Sequence, residues 1–308
     1  MKIVVTGGAG FIGSHLVDRL IEHEPELQEL VVLDNFHRGR RAHLAQHDGN
    51  PIIKVVDADV RNADAISELC RGADTIYHLA AQSNVMGAVT DLSYSFATNV
   101  TGTLNILEAA RQHGVRRVVF TSSREVYGEV AQLPVREDAP LQAKNAYGAS
   151  KAAGELYARV FENTYGVATS VVRLANVYGS RDRDRVIPLW FDAAQTGRPM
   201  IVYGGQQVID FVHVDQVVTA LIMVSRMDLA GRPINIGSGQ GTPLLTLAER
   251  IMALPGVKTA LELHPARSVE VARYTADVRL MRELLGIEPP NDPLYALELL
   301  WQTYLALS

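Results

Sequence analysis

From residue 2 to residue 176 the chain alternates between apolar runs of strand length and longer segments of helical periodicity. The runs are KIVVT at 2–6, LVVLD at 30–34, IIKVVDAD at 52–59, DTIYHLA at 74–80, RRVVFTSS at 116–123 and ATSVVRLAN at 168–176. Helices are expected between them, from Phe11 to His23, near 63–71, across about 95–112 and from about 145 to 165. The runs are rich in Val and Ile and are continuous. A strand with one wet face would alternate apolar with polar residues, so these strands are expected to be buried on both faces, as in a parallel sheet covered by helices. The expected fold class is α/β, with a doubly wound parallel sheet.

After Asn176 the rhythm breaks. A charge-dense loop, SRDRDR at 180–185, is followed by Pro and Gly punctuators and by short apolar pieces such as DFVHVD at 210–215. A smaller α/β lobe is expected there. The first domain is placed at 1–176, with a return near 208–240, and 177–308 is assigned mainly to the second. No fixed-period repeat or low-complexity tract interrupts either part.

Composition narrows the partners. A chain of 308 residues with 47% hydrophobic and 20% charged residues can bury a sizeable core. Its formal charge of −5 and isoelectric point near 6.0 argue against a nucleic-acid or anionic-membrane surface, which needs a dominant positive field, and leave small molecules as the expected partners. The single cysteine, Cys70, is read as core filling, and the nine scattered histidines show no zinc-site spacing. A reducing compartment and no protein-bound metal are therefore expected. No apolar run reaches the roughly 18 residues that span a bilayer, and MKIVVTGGAG lacks the apolar region of a secretion signal, so a cytoplasmic protein is expected.

The segment TGGAGFIGSHL at 6–16 follows the first run and opens the first helix. Gly7, Gly10 and Gly13 there permit a tight turn and close approach of a pyrophosphate, while the helix N-terminus supplies amide donors and partial positive charge. Asp34 ends the second run about twenty residues on, where a carboxylate takes the hydroxyls of an adenosine ribose and repels a 2′-phosphate. These residues, with Phe11, Ile12 and Asn35, predict a dinucleotide site, NAD rather than NADP. Arg38, Arg40 and Arg41 lie just downstream, as a solvated loop or as a seat for a 2′-phosphate.

In NAYGASKAAGELY, from Asn145, Tyr147 and Lys151 stand one helical turn apart on one face, a spacing that lets an ammonium lie near a phenol. Together TGGAGFIG, SSREVYG at 122–128, YGASK at 147–151, DFVHVD, NIGSG at 235–239 and HPARSVEVARYTADVRL at 264–280 resemble the extended short-chain dehydrogenase/reductase family, the nucleotide-sugar epimerases and dehydratases. The resemblance implies a Rossmann domain holding NAD and a second lobe clamping a nucleoside-diphosphate sugar. It implies that Tyr147 is the base, that Lys151 holds the nicotinamide ribose and lowers the phenol pKa, and that Ser123 relays the substrate's proton. By the same resemblance Asp59 and Val60 meet the adenine, and Leu79, Ala80 and Ala81 run along the cofactor. Asn99 supports the site, Asn176 and Arg267 contact the substrate diphosphate, and the chain forms a homodimer through the helices near 95–112 and 145–165.

The reaction is less constrained. Dehydratases of the family carry an Asp-Glu pair before VYG, where this chain has Arg124 and Glu125, so the expected general acid for 4,6-dehydration is missing while Glu125 remains a candidate base. NAD-dependent 4-epimerisation of the UDP-glucose/UDP-galactose type is the favoured expectation, with UDP-glucuronate decarboxylation or 4,6-dehydration as the alternative. Ile209 stands where the family often has a phosphate-binding Arg, which shifts that task to Arg267 and an arginine of the 181–185 loop. The set Ser123, Tyr147 and Lys151 argues against a non-catalytic nucleotide-binding regulator.

Overall fold

The computed structural model describes residues 1–229 and 231–306. The chain runs β1 (Lys2–Thr6), α1 (Phe11–His23), β2 (Glu29–Asp34), β3 (Ile53–Asp57), α2 (Ala63–Cys70), β4 (Thr75–His78), α3 (Val85–Thr90), α4 (Leu92–Phe96), α5 (Gly102–His113), β5 (Arg117–Ser123), α6 (Ala146–Tyr165), β6 (Thr169–Leu174) and β7 (Asn176–Tyr178). It continues through α7 (Val186–Thr196), β8 (Met200–Tyr203), β9 (Val208–His213), α8 (Val214–Ser225), β10 (Ile234–Ile236), β11 (Gly241–Pro243), α9 (Leu244–Met252), β12 (Leu261–His264), α10 (Arg279–Leu285) and α11 (Leu297–Ala306).

Among the described residues seven strands form one parallel sheet in the order β10-β6-β5-β4-β1-β2-β3. Its strands are apolar at successive positions because both faces are covered. Val4, Val31, Leu33 and Ile76 pack with Ile66, Ile106 and Leu107 of α2 and α5, whereas Ile3, Val5, Leu30 and Val32 pack with Leu16, Val17, Val217 and Leu221 of α1 and α8. Cys70 is part of the first of these layers, and burial pushes its thiol up to about 12, out of reach of thiolate chemistry. The chain order reverses between β1 and β4, so the carboxyl ends of these strands open a crevice at a topological switch point.

The helix expected across 95–112 is present: the chain is helical from Leu92 to His113, with one π segment inside it. Asn84 and Asp91 each cap a short helix through their side chains, onto Gly87 and Tyr94 amides, and residues 97–101 form a π turn before α5. The widened turn carries Asn99, whose amide bridges the backbone of Gln82 (2.7 and 3.2 Å) and the hydroxyl of Ser150 (2.9 Å). The helical periodicity that the sequence shows is thus kept, and the π turn is where the buried Asn99 side chain is accommodated.

Beyond β6 a three-stranded sheet, β11-β9-β7, and a parallel pair, β12-β8, gather around a separate core that includes Trp190, Phe191, Met200, Phe211, Leu247 and Trp301. Strand β10 then rejoins the large sheet beside β6. Buried Asp210 of the DFVHVD segment stitches the two parts, accepting bonds from the Ser238 amide (2.7 Å) and hydroxyl (2.7 Å), the Gly239 amide (3.1 Å) and the Ala276 amide (2.9 Å).

Candidate active site

A cavity of about 820 Å³ lies over the carboxyl ends of β1, β4 and β5 and extends toward the second lobe. At one end is the glycine turn. Gly7 has φ of +70°, and a Cβ there would lie 2.8 Å from the Ala80 amide nitrogen; a Cβ on Gly13 would lie 2.2 Å from the Gly7 carbonyl. Only glycine fits both places. Helix α1 begins at Gly10 without a side-chain cap, so its first amides face the cavity unpaired by a local side chain.

Asp34 closes β2, and its two carboxylate oxygens accept the amides of Phe36 (2.9 Å) and Ala9 (3.0 Å). Burial raises its carboxyl above the ordinary range, and these two hydrogen bonds pull the other way. Gly39 sits against the carboxylate, with no room for a Cβ. Asn35 donates to Asp59 at 2.8 Å. Asp59 also pairs with the guanidinium of Arg61 (2.8 Å), which drops its carboxyl to about 2. Its neighbours Ala58 and Val60 are the ones that line the cavity, with Leu79, Ala80, Ala81, Phe11 and Ile12. Among the three downstream arginines, Arg38 bonds Ser83 (2.9 Å) and Asp184 (2.6 Å), and Arg41 pairs with Asp57 (3.4 Å) over the Phe36 ring.

In the middle of the cavity the C-terminus of β5 and the first turns of α6 bring Ser123, Glu125, Tyr147 and Lys151 together. Helix α6 starts where it does because Asn145 caps it onto the Gly148 amide (2.9 Å), and the other end of that side chain donates to Glu125 (2.7 Å). The remaining Glu125 oxygen pairs with Arg124 at 2.9 Å, so both oxygens of this buried carboxylate are engaged. Ser123 lies beside Tyr147 within hydrogen-bonding reach.

Lys151 lines the cavity with Tyr147. The ammonium is fully buried, donates to the Thr121 carbonyl (2.8 Å) and lies 4.8 Å over the Phe120 ring; burial pulls its pKa down to about 7. Burial likewise pushes the Tyr147 phenol up to about 12, and the leading opposing influence is the guanidinium of Arg185, followed by smaller effects of Ser123 and Arg38.

Toward the second lobe, Asn176 of β7 and Gln207 before β9 line the cavity, and each has a side-chain oxygen that is buried and unpartnered. Arg267 also lines it, stacked 3.6 Å over the Tyr203 ring and paired with Glu270 at 3.1 Å. Ile209 leaves its share of the wall apolar. Sequence reasoning missed Tyr203, Gln207 and Asp182. Tyr203 had only the weak signal of an aromatic before the Gly204-Gly205 turn, Asp182 only its place in the charge-dense 180–185 loop, and Gln207 none, because their place in the wall depends on how the second lobe folds back.

A profile of the NAD dependent epimerase/dehydratase family matches residues 3–237, and the chain belongs to that family: it is an NAD-dependent enzyme. It is 36% identical over 296 residues to the UDP-glucose 4-epimerase of Mycolicibacterium smegmatis, covering 94% of each chain. It is 32% identical over 298 residues to UDP-glucuronic acid decarboxylase 1 of Arabidopsis thaliana, covering 94% of this chain and 66% of that one. Among solved structures it is similar to the dTDP-glucose 4,6-dehydratase of Streptomyces venezuelae crystallised with NAD, with a TM-score of 0.95 and 32% identity over 99% of this chain and 97% of that one. NAD fits the cleft: the glycine cradle that a Cβ would fill, the uncapped amides of α1 and the Asp34 carboxylate suit a pyrophosphate and a ribose lacking a 2′-phosphate. Helices long and apolar enough to cross a membrane are absent among the described residues.

Proposed function

We propose that the protein epimerises a nucleoside-diphosphate sugar at C4, of the UDP-glucose/UDP-galactose type, through a transient 4-keto sugar. The observation that supports this reading is the pair before VYG: Arg124 stands where a dehydratase carries its proton-donating Asp, and it pairs with Glu125 at 2.9 Å while Asn145 donates to the other Glu125 oxygen, so no carboxylic acid stands there to protonate a departing hydroxyl. What remains is a set that can remove and restore one hydroxyl proton. Bound NAD supplies the hydride acceptor and donor. Tyr147, as phenolate, takes the C4 hydroxyl proton, with Ser123 as relay, and gives it back once the hydride has returned to the other face. Lys151 is placed to meet the nicotinamide ribose. The glycine turn, Phe11, Ile12, Asp34, Asn35, Asp59, Val60 and residues 79–81 belong to the cofactor half, 1–176 with its return through β10. Asn176 and Arg267 serve the sugar diphosphate from the mainly substrate-binding part, 177–308; the unpartnered Asn176 oxygen and the cavity position of Arg267 support this.

The position of Arg124 on the cavity wall and the likeness to a decarboxylase support a second reading, a lyase acting on a sugar with a C6 carboxylate. The two are separated by incubating the purified enzyme with a panel of nucleotide sugars, without added NAD, and weighing the products. Unchanged mass with inverted C4 is the expected result; loss of carbon dioxide or of water would replace the epimerase reading by the lyase.

A homodimer belongs to the same proposal. Val89, Leu92 and Phe96 on α3 and α4 and Leu156, Tyr157 and Val160 on α6 are exposed on adjoining helices, an apolar surface that a second copy would cover. Leu156→Glu is expected to give a monomer by light scattering; a wild-type chain that is already monomeric at micromolar concentration would remove this interface.

A further inference from the structure

A buried line of hydrogen bonds that the reaction as proposed does not use runs through His78, the last residue of β4. Its Nδ1 lies 2.8 Å from the Thr6 hydroxyl at the end of β1, and its Nε2 lies 3.0 Å from the Thr103 hydroxyl at the start of α5. Toward the cofactor side, Thr6 Oγ1 also accepts the Ala80 amide at 3.2 Å, and Gly7 packs so closely on this amide that a Cβ would lie 2.8 Å from its nitrogen. Thr6 thereby sets the spacing between the glycine turn and the 79–81 segment, both of which line the cavity. Toward the chemistry, Thr103 Oγ1 donates to the Asn99 carbonyl at 2.6 Å, the Asn99 amide donates to Ser150 Oγ at 2.9 Å, and Ser150 Oγ donates to the Tyr147 carbonyl at 2.8 Å. The line ends on the backbone of the proposed base. We propose that His78 is a positioning residue that ties the two halves of the catalytic centre together, holding the cofactor turn through Nδ1 and the first turn of the Tyr147 helix through Nε2. This rests on the reading of Tyr147 as the base.

The protons along the line have one consistent arrangement. A carbonyl oxygen only accepts, so the Thr103 hydroxyl proton points at Asn99, and Thr103 faces His78 with a lone pair. His78 must then carry its proton on Nε2, which makes Nδ1 the acceptor and the Thr6 hydroxyl its donor. The other tautomer would set the bare Nε2 against that lone pair in a buried place, where an unmade hydrogen bond is costly. Burial also pulls the ring's pKa down to about 3, which keeps it neutral, as this order requires. Phe120 stacks on the ring at 5.8 Å between centroids, and the same Phe120 lies beneath the Lys151 ammonium at 4.8 Å, so the ring is fixed by packing on its face and by polar bonds at its edge.

Asparagine and glutamine separate the two ends, because an Asn carbonyl can accept where Nδ1 does and a Gln amide can donate where Nε2 does. His78→Asn keeps the Thr6 bond and loses the Thr103 bond: formation of reduced nicotinamide in a single turnover is expected to slow about tenfold, while the purified holoenzyme loses NAD at close to the wild-type rate. His78→Gln is expected to do the reverse, losing NAD about tenfold faster while hydride transfer slows by no more than about threefold. Both quantities are read per folded holoenzyme, so a lowered Tm does not imitate them. The wild-type chain supplies a check that needs no variant: nitrogen NMR of the histidine rings is expected to find His78 protonated on Nε2. A ring protonated on Nδ1 overturns the proposal, and so do two variants that impair both quantities alike or neither, since the ring would then serve packing only. A Tyr147→Phe enzyme that keeps its turnover overturns the base assignment instead, because the ring proton and the split between the two variants are read without it.

Discussion

Tyr147→Phe is expected to lower kcat by about 10²–10⁴-fold while leaving the fold and the NAD content of the purified protein unchanged. The substitution removes one oxygen and little volume, from a side chain that stands in the cavity beside Ser123. Because the phenol is the group proposed to take the hydroxyl proton before the hydride can leave, its loss blocks the first step of either an epimerase or a lyase. The measurement is single-turnover formation of reduced nicotinamide with the preferred nucleotide sugar, alongside steady-state turnover. A Tyr147→Phe enzyme that reduces its cofactor at more than about a tenth of the wild-type rate would show that another group accepts the proton.

The largest loss of stability is expected from a residue outside the chemistry. Arg173 of β6 is buried beneath α6, where it holds Glu155 through Nε (3.0 Å) and Nη2 (2.7 Å) and donates through Nη1 to the Tyr127 hydroxyl (2.8 Å) and the Glu137 carbonyl (2.8 Å). Ser122 donates to the same Glu155 carboxylate. Arg173→Met leaves that carboxylate buried without its cation and is expected to cost about 3–5 kcal/mol, a fall in Tm on the order of 10 °C. The double variant Arg173→Met/Glu155→Met removes both charges and is expected to regain much of this, since an apolar pair of similar volume replaces an ion pair at little net cost. Thermal melts of the two variants decide it: if the single variant melts no lower than the double, the cost lies in lost packing rather than in an orphaned charge. Glu155 lies one turn after Lys151 on α6, so this ion pair also fixes the helix that presents Tyr147.

Much of the first half was legible because its signals are local. Continuous Val and Ile runs specify strands covered on both faces, and Gly7, Gly10 and Gly13 mark a turn whose tolerance for a Cβ is set by the backbone itself. The spacing of Tyr147 and Lys151 placed both on the cavity side of α6. The helix across 95–112 was legible too, but the π turn at 97–101 inside it was not, since it carries Asn99 to Gln82, a contact made only after the sheet has formed.

What the amino-acid order determined by itself was the alternation of strands and helices, the glycine cradle for a pyrophosphate and the residue types of the proton-handling set, because each follows from short-range geometry along one segment. Only the tertiary structure decided what surrounds the proton-handling set. It bonded Lys151 to a strand carbonyl, tied Glu125 to Arg124 and Asn145, and joined the 180–185 loop to α1 through Arg181 and Asp18. Electrostatic influence depends on distance and burial in three dimensions, and neither is encoded in spacing along the chain.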